Sequence, residues 1–407
     1  MTFRELTKEE FNIFTSTYKE SSLYQSVYYG EFMSREGYKD IYLGLSNGDA
    51  IIAATLVLVK TGSTLKYGYI PKGLLIDYSD LSLLDYFTKE LKKYLSKKDI
   101  VAVKLNPMII KSIYDSKYNL ISDNTDYGYL YDNLKKASYS HLGFNKSFES
   151  LLPRYEAIIH LNKDKYKEFS NLSKKYRTKT RSAEKKGVRI YKGNIDEIDY
   201  LYEKLNVKKH NLSWYKNLLD SFALKATIYY AKLDLSVYLE LCQSNYINQE
   251  NVNNILNEEV INKKGKSHAK LLDKKMNADI KLGDYHRALD DAIKLNASNP
   301  DGIILGFAIV INYQGTITII DSVYNKEYAY FNASHLLIWK LIDKYSELNY
   351  IDLNIGGMTS KEDNKFEGLN NFKLGFGSNV YEYMGDLELV TNYPKYVMYR
   401  NSHSLFK

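Results

Sequence analysis

Short β-rich runs alternate with amphipathic helical patterns along most of the chain, and this alternation constrains the fold most. Runs such as AIIAATLVLVK and DIVAVKLNP flank a stretch, LLDYFTKELKKYLSKK, whose apolar residues have helical spacing. Asn47-Gly48-Asp49 predicts a hairpin turn between two of the runs. Strands and helices in this order pack as layers on a mixed sheet. We therefore predict an α/β protein, and 407 residues provide for two to three domains.

The second half repeats the alternation but is interrupted once. Strand signals stop over about 237–298, where apolar residues keep helical spacing on both sides of 263–266, which predicts two antiparallel helices. The end of this stretch also resembles half of a tetratricopeptide repeat, although one unit cannot form a solenoid. We predict a first domain over 1–150, completed by 385–407, and a second over 151–384. A helical hairpin arm over 237–298 is inserted in the second domain.

The composition excludes several classes of protein. The single cysteine, Cys242, rules out a disulfide framework and a cysteine-built metal site. The seven histidines lack metal-ligand spacing, and the common nucleophile, zinc, P-loop and dinucleotide motifs are missing. We therefore expect no metal, no cofactor and no covalent catalysis by a side-chain nucleophile. No run reaches the ~18 apolar residues of a membrane span, and the first residues do not resemble a secretory signal, so we expect the cytoplasm.

Positive charge is mild overall but concentrated in one predicted helix. The net charge is +7, which is compatible with an anionic ligand or membrane surface and proves neither. The forty tyrosines accompany many Lys, Asn and Ile residues, which AT-rich codons explain. The stretch FSNLSKKYRTKTRSAEKKG predicts one basic helix ending at Gly187. Its charges fit either a solvated face or contact with phosphates. They are Lys174, Lys175, Arg177, Lys179, Arg181, Lys185 and Lys186.

Several glycines surround one lysine near the carboxyl end. Gly356-Gly357 follow the strand pattern IDLNI, and the run FKLGFG at 372–377 contains Lys373. Glycine after a strand lets the backbone approach a ligand or take a positive φ. A set of tight turns is the alternative explanation.

An ordered set of motifs resembles the Fem peptidyltransferases, the FemABX-type tRNA-dependent aminoacyltransferases that branch peptidoglycan precursors. The C-terminal part of the set is GG at 356–357, GL at 368–369, FKLGFG at 372–377 and EYMGD at 382–386. The earlier part is YIPKG at 69–73 with Asp77, LNP at 105–107, Arg154-Tyr155, Arg177 through Val188, and Trp339. The resemblance covers essentially the whole chain. It implies two GNAT-like (acyl-CoA N-acyltransferase-like) mixed-sheet domains with a helical hairpin arm in the second.

The resemblance also implies a reaction and its partners. An amino acid would pass from aminoacyl-tRNA to the amine of the third stem-peptide residue of lipid II or UDP-MurNAc-pentapeptide, with contact at the inner face of the membrane and a monomeric or homodimeric enzyme. An aminoacyl ester is already activated, so a neutral amine can attack it without an enzyme nucleophile. The remaining tasks are positioning, removal of one proton and stabilisation of the oxyanion.

The resemblance assigns roles to particular residues. Lys373 matches the family's lysine beside the acyl carbonyl, which implies oxyanion stabilisation; a surface lysine beside Phe372 is the alternative. Met33 stands where the family has a diphosphate-binding lysine, and Asn106 stands where some members have aspartate. The implied substrate contacts are Lys209, which replaces an arginine, Asn106, Phe372, Gly356 and Gly357, and Arg35 or Lys72 is the candidate substitute for the lysine missing at position 33. The clustered positive charge itself predicts contacts with tRNA phosphates at Arg177, Arg181 and Lys185 in the basic helix and at Lys263 and Lys264 in the arm.

Two other functions stay open on the sequence. One is a tRNA-dependent transferase that acts on a different amine. The other is a catalytically silent paralogue that binds tRNA or a protein partner, which the residues at Met33 and Lys209 keep open.

Overall fold

Two mixed β-sheets organise the chain in the computed structural model, which describes residues 1–60, 62, 64–262 and 267–404. The strands within these ranges are β1 (Thr2–Glu5), β2 (Tyr38–Asn47), β3 (Ala50–Lys60), β4 (Lys66–Pro71), β5 (Ile100–Asn106), β6 (Ile110–Tyr114), β7 (Leu120–Asp123), β8 (Ser140–His141), β9 (Tyr155–His160), β10 (Val188–Gly193), β11 (Ala226–Leu233), β12 (Ile303–Tyr313), β13 (Thr316–Tyr324), β14 (Asp352–Met358), β15 (Asn379–Tyr383) and β16 (Leu387–Val390).

Helices cover both sheets. They are α1 (Lys8–Thr17), α2 (Val27–Arg35), α3 (Leu81–Lys97), α4 (Tyr127–Lys136), α5 (Lys165–Asn171), α6 (Lys174–Lys185), α7 (Ile198–Lys204), α8 (Leu212–Phe222), α9 (Leu235–Asn262), α10 (Ser267–Ser298), α11 (Ala333–Glu347), α12 (Glu367–Leu374) and α13 (Tyr393–Ser404). Among the described helices, none is both long and apolar enough to cross a membrane.

Each sheet combines antiparallel ladders with one parallel pair. The seven-stranded sheet has the order β1-β2-β3-β4-β5-β16-β8, and β4 and β5 are its parallel pair. The nine-stranded sheet has the order β10-β11-β12-β13-β14-β9-β15-β6-β7, with β13 and β14 parallel. The predicted mixed α/β class is therefore confirmed.

Among the described strands, pairing crosses the predicted domain boundary at one place, between β6 and β15. β6 and β7 precede residue 150, yet β6 pairs with β15 in the nine-stranded sheet. β16, near the carboxyl end, pairs with β5 and β8 in the seven-stranded sheet. The division into 1–150 with 385–407 and 151–384 stays a prediction, and the strands at 110–123 do not follow it.

Local signals in the sequence correspond to caps and turns in the structure. Thr7 and Glu10 form a capping box at the start of α1. Helix α3 buries Leu84, Phe87, Leu91 and Leu95 on the seven-stranded sheet, as their spacing predicts. The hairpin between β12 and β13 turns at Gln314 and Gly315, which both have positive φ, as a tight two-residue hairpin requires.

The predicted basic helix is two helices rather than one. α5 ends at Asn171 and α6 begins at Lys174, so the prediction of one helix through Gly187 is wrong. Ser173 between them accepts a hydrogen bond from the backbone N–H of Tyr176, which makes it the N-cap of α6.

Two long helices occupy the region predicted as an arm. α9 and α10 pack along each other, and Leu256, Leu271 and Ala278 are buried between them. Lys263 and Lys264 lie outside the described residues, so their prediction as tRNA contacts has no structural account.

Candidate active site

The parallel pair β13–β14 separates partway along its length, and a cavity lies at this point. Pairing joins Thr316 with Asp352 and ends, in the described ladder, at Thr318 with Asn354. Beyond that pair, the two strands line a cavity of about 280 Å³, to which Ile319 and Gly356 contribute. Leu23, Phe32, Trp214 and Phe222 add apolar and aromatic walls from other elements. The arrangement is a largely apolar cleft with two strand edges at its base.

Lys373 reaches this gap from the last turn of α12. Its Nζ donates a hydrogen bond of 2.6 Å to the carbonyl oxygen of Gly357. Gly356 has φ +91°, and a Cβ built on it would lie 3.2 Å from Lys373 Nζ and 3.8 Å from the carbonyl oxygen of Ile319. A Cβ on Gly357 would come within 2.5 Å of Pro153. Glycine at position 356 therefore gives the ammonium group room at the gap between the strands, and glycine at position 357 gives room to Pro153.

Burial controls the charge of Lys373. Desolvation lowers its pKa to about 8, the charge of Glu156 acts in the opposite direction, and Lys209 lowers the pKa further. The side chain is half-buried. A lysine with this pKa is mostly protonated at neutral pH, so it can present a poorly hydrated cationic donor to a substrate.

A buried ion pair lies beside the glycines. Lys72, which follows β4, and Glu156, on β9, form an ion pair of 2.9 Å with side chains only 4% and 7% exposed. Tyr383 donates a hydrogen bond to Glu156, and its ring lies 3.7 Å below the ammonium of Lys72. Asn106 accepts hydrogen bonds from the backbone N–H of Lys72 and from a tyrosine hydroxyl. This pair joins the two sheets next to the cavity, and it leaves Lys72 engaged with a carboxylate.

Phe372 lies in an aromatic cluster. Its ring contacts those of Tyr176, His335 and Phe376, so it packs α12 against α6 and α11. A Cβ on Gly375 would come within 2.3 Å of the Tyr176 ring, which explains the first glycine of the FKLGFG run. Burial lowers the pKa of His335 to about 4, so this histidine is neutral at physiological pH. The cluster fixes the helix that carries the lysine, and a direct substrate contact of Phe372 stays a prediction.

The predicted phosphate contacts are already engaged with acids. Lys209 forms an ion pair with Asp321, although its side chain is 59% exposed, and Asp321 also accepts a hydrogen bond of 2.7 Å from Tyr215. Arg35 pairs with Asp220 at 3.2 Å and with a glutamate one turn earlier in α2. Met33 packs among apolar and aromatic side chains. Lys209 is near enough to Lys373 for its charge to lower the pKa of that lysine, whereas Arg35 is held on the surface between α2 and α8.

The predicted tRNA contacts in α6 serve partly as local supports. Arg177 donates a hydrogen bond of 2.8 Å to the carbonyl oxygen of Ser170, and another to that of Leu172, across the break between α5 and α6. Arg181 lies over the ring of Phe169, at 4.9 Å from its centre. Lys185 lies in the last turn of α6.

Glu156 and Asn354 belong to this site, and sequence analysis did not single them out. Glu156 directly precedes the apolar residues AII, and Asn354 lies between the apolar Leu353 and Ile355. A polar residue beside apolar ones is the only local signal of their role. No group of three or more metal-binding side chains occurs in the part of the chain that the structure describes.

Comparisons with known proteins agree with the fold and the motifs. The FemAB family model matches residues 6–404. The aminoacyltransferase FemA of Staphylococcus epidermidis is 26% identical, with all of both chains covered. The aminoacyltransferase FemA of Staphylococcus aureus strain MRSA252 is 25% identical over 98% of this chain and 97% of its own length.

Solved structures have the same architecture. The crystal structure of FemX aligns with a TM-score of 0.74 at 18% identity, covering 98% of this chain and 99% of that one. A tandem GNAT protein from the clavulanic acid biosynthesis pathway aligns with a TM-score of 0.50 at 10% identity, covering 96% and 98%. These likenesses confirm the predicted pair of GNAT-like domains. With the family model matching nearly its entire length, the chain belongs to the FemAB family and is an aminoacyltransferase.

Proposed function

We propose that this protein transfers an amino acid from aminoacyl-tRNA to the amine of the third stem-peptide residue of a peptidoglycan precursor, lipid II or UDP-MurNAc-pentapeptide. The observation that carries this proposal is the ammonium of Lys373, held 2.6 Å from the carbonyl oxygen of Gly357 where β13 and β14 separate. The relatives named FemA and the match to the FemAB family support an aminoacyl donor.

The chemistry needs one well-placed cation. The acceptor amine forms a C–N bond with the ester carbonyl carbon, and the C–O bond to the tRNA ribose breaks. The amine loses a proton, and the departing ribose oxygen ends with one. Lys373 has three N–H donors and uses one on Gly357, so two remain for the carbonyl oxygen as it becomes negative.

Substrate binding is proposed at the other residues that the resemblance names. Lys209 would contact the acceptor's diphosphate by exchanging its Asp321 partner, because its side chain is largely exposed. Lys72 would act through its buried ion pair with Glu156, and Asn106 would act by holding the backbone N–H of Lys72. The basic face of α6 and the arm would contact tRNA phosphates, which are bound without base specificity. Cytoplasmic location, contact with the membrane surface and a monomeric or dimeric state stay predictions.

A transfer assay tests the proposal directly. Purified protein is given tRNA charged with radiolabelled amino acids and either a muropeptide precursor or a protein acceptor. We expect label on the precursor, and transfer by Lys373→Met that is slower by about 10²-fold or more. Transfer to the protein instead would support an enzyme acting on a different amine. Mass spectrometry of muropeptides from cells with and without the protein identifies the product.

A catalytically silent paralogue, which the sequence left open, is not compatible with an aminoacyltransferase of the FemAB family and is not proposed. Met33 packs in apolar clusters, so this position does not supply the diphosphate-binding lysine of the family.

A further inference from the structure

We propose that Glu156 is a positioning residue: it holds the Gly356-Gly357 segment and, through that segment, the ammonium group of Lys373. This role rests on the proposed function, because Lys373 is the group on which catalysis depends there. Glu156 matches none of the motifs of the sequence, and its place in the structure alone points to the role.

A chain of hydrogen bonds connects the two residues. Asn354 donates from Nδ2 to Glu156 Oε2 at 2.9 Å and accepts the backbone N–H of Gly356 at 2.8 Å. The carbonyl oxygen of the next residue, Gly357, accepts a hydrogen bond from Lys373 Nζ. The β9–β14 ladder has a register shift between Asn354 and Gly357, and Glu156 pairs with Gly357 just beyond it. Side chains therefore support the backbone where the ladder is irregular.

The carboxylate of Glu156 is fixed by its surroundings. Its Oε1 accepts from Lys72 Nζ at 2.9 Å, and its Oε2 accepts from Asn354 and from the hydroxyl of Tyr383 at 3.3 Å. Lys72 comes from the seven-stranded sheet and the other partners from the nine-stranded sheet. A carboxylate with three such partners and almost no exposure has a single orientation.

The charge of Glu156 acts on Lys373 as well. Burial lowers the pKa of Lys373, and the negative charge of Glu156 opposes that change. Without this charge, Lys373 would release its proton at a lower pH and would more often be a neutral, weaker donor.

Two variants separate this role from simple support of the fold. Glu156→Gln removes the charge but leaves Lys72 buried without its partner, which destabilises a fold. The double variant Lys72→Met with Glu156→Gln removes both charges of the buried pair, so it should be more stable than Glu156→Gln alone. Lys373 still lacks the carboxylate of Glu156 in this double variant. Glu382→Gln is the matched control, because Glu382 is another carboxylate only 7% exposed, and it pairs with Arg154.

The readout is the reactivity of the Lys373 amine, which requires no transfer activity. Acetic anhydride labels neutral amines, and peptide mass spectrometry follows labelling of Lys373 across pH. We expect the labelling of Lys373 to reach half its maximum near pH 8 in the wild type and in Glu382→Gln. This midpoint should lie at a lower pH in Glu156→Gln and in the double variant. In the transfer assay, kcat should fall about tenfold in Glu156→Gln and in the double variant, which is less than for loss of a whole oxyanion donor. The pH above which kcat declines should also be lower in these two variants than in the wild type.

Each outcome decides one claim. An unchanged midpoint in both variants overturns the role of Glu156, and so does a midpoint that the double variant brings back to the wild-type value, since the unpaired Lys72 then caused the shift. If the midpoints move as expected but the wild type transfers no amino acid to any acceptor, Glu156 does act on Lys373, and it is the proposed function that fails.

Discussion

Replacing Lys373 with methionine removes the ammonium group and keeps an unbranched side chain of similar length. In the wild type, one of the three N–H donors of the Lys373 ammonium is bound to the carbonyl oxygen of Gly357 at 2.6 Å, which leaves two for the oxyanion. Loss of one oxyanion donor costs about 2.7–4 kcal/mol, or roughly 10²–10³-fold in kcat. We therefore expect Lys373→Met to lower kcat by about 10²-fold or more, with little change in the acceptor KM.

The pH dependence gives an independent measure of the same group. With a pKa of about 8, Lys373 loses its proton as the pH rises through 8, so wild-type kcat should fall above that value. Lys373→Met should lack this basic limb, because it has no proton to lose there. The assay is single-turnover transfer of labelled amino acid to a muropeptide acceptor over a pH series.

Stability must be compared in the same experiment. The pKa of Lys373 is below that of a lysine in the unfolded chain, so its burial as an ammonium costs stability below pH 8, and this cost disappears as the pH rises toward the unfolded value. Methionine carries no such cost, so the urea midpoint of the variant at neutral pH should equal or exceed that of the wild type. Near-normal kcat, or the same basic limb in a folded variant, would refute the role of Lys373.

Three further changes test other parts of the site. Gly356→Ala places a methyl group 3.2 Å from the ammonium and strains a φ of +91°; we expect a lower kcat and a loss of about 1 kcal/mol of stability, read by transfer kinetics and urea unfolding. Lys209→Ala leaves Asp321 without its cation and should raise the acceptor KM more than it lowers kcat; an unchanged KM would discard that contact. Charge reversal at Lys263 and Lys264 should weaken tRNA binding and reduce its salt dependence; equal affinity across a salt series would mean that the arm does not bind tRNA.

Elements with a local cause could be predicted from the sequence. The spacing of Leu84, Phe87 and Leu91 indicates α3, and Asn47-Gly48-Asp49 marks the hairpin turn between β2 and β3, where Gly48 has a positive φ. The break before α6 was missed because Ser173 acts there as a helix cap inside an otherwise continuous helical pattern. Pairing of 110–123 with β15 joins segments far apart in sequence, and no local pattern encodes such a contact.

The candidate site was predictable only in part. The glycines around Lys373 indicate close approaches, and these are made by Lys373 to Gly356, by Pro153 to Gly357 and by Tyr176 to Gly375. Glu156 was missed because a single acid at the edge of an apolar strand is usually a solvent-facing residue. Its burial depends on Lys72, which arrives from the other sheet. The engagement of Arg35 with Asp220 likewise depends on two helices whose contact the sequence does not reveal.

The position of β16 bears on how the protein is made. β16 lies between β5 and β8 inside the seven-stranded sheet, yet it spans residues 387–390. During synthesis, the seven-stranded sheet therefore has a vacant internal place until residues 387–390 have left the ribosome. By then every strand of the nine-stranded sheet has also been made, so the seven-stranded sheet cannot be completed before it.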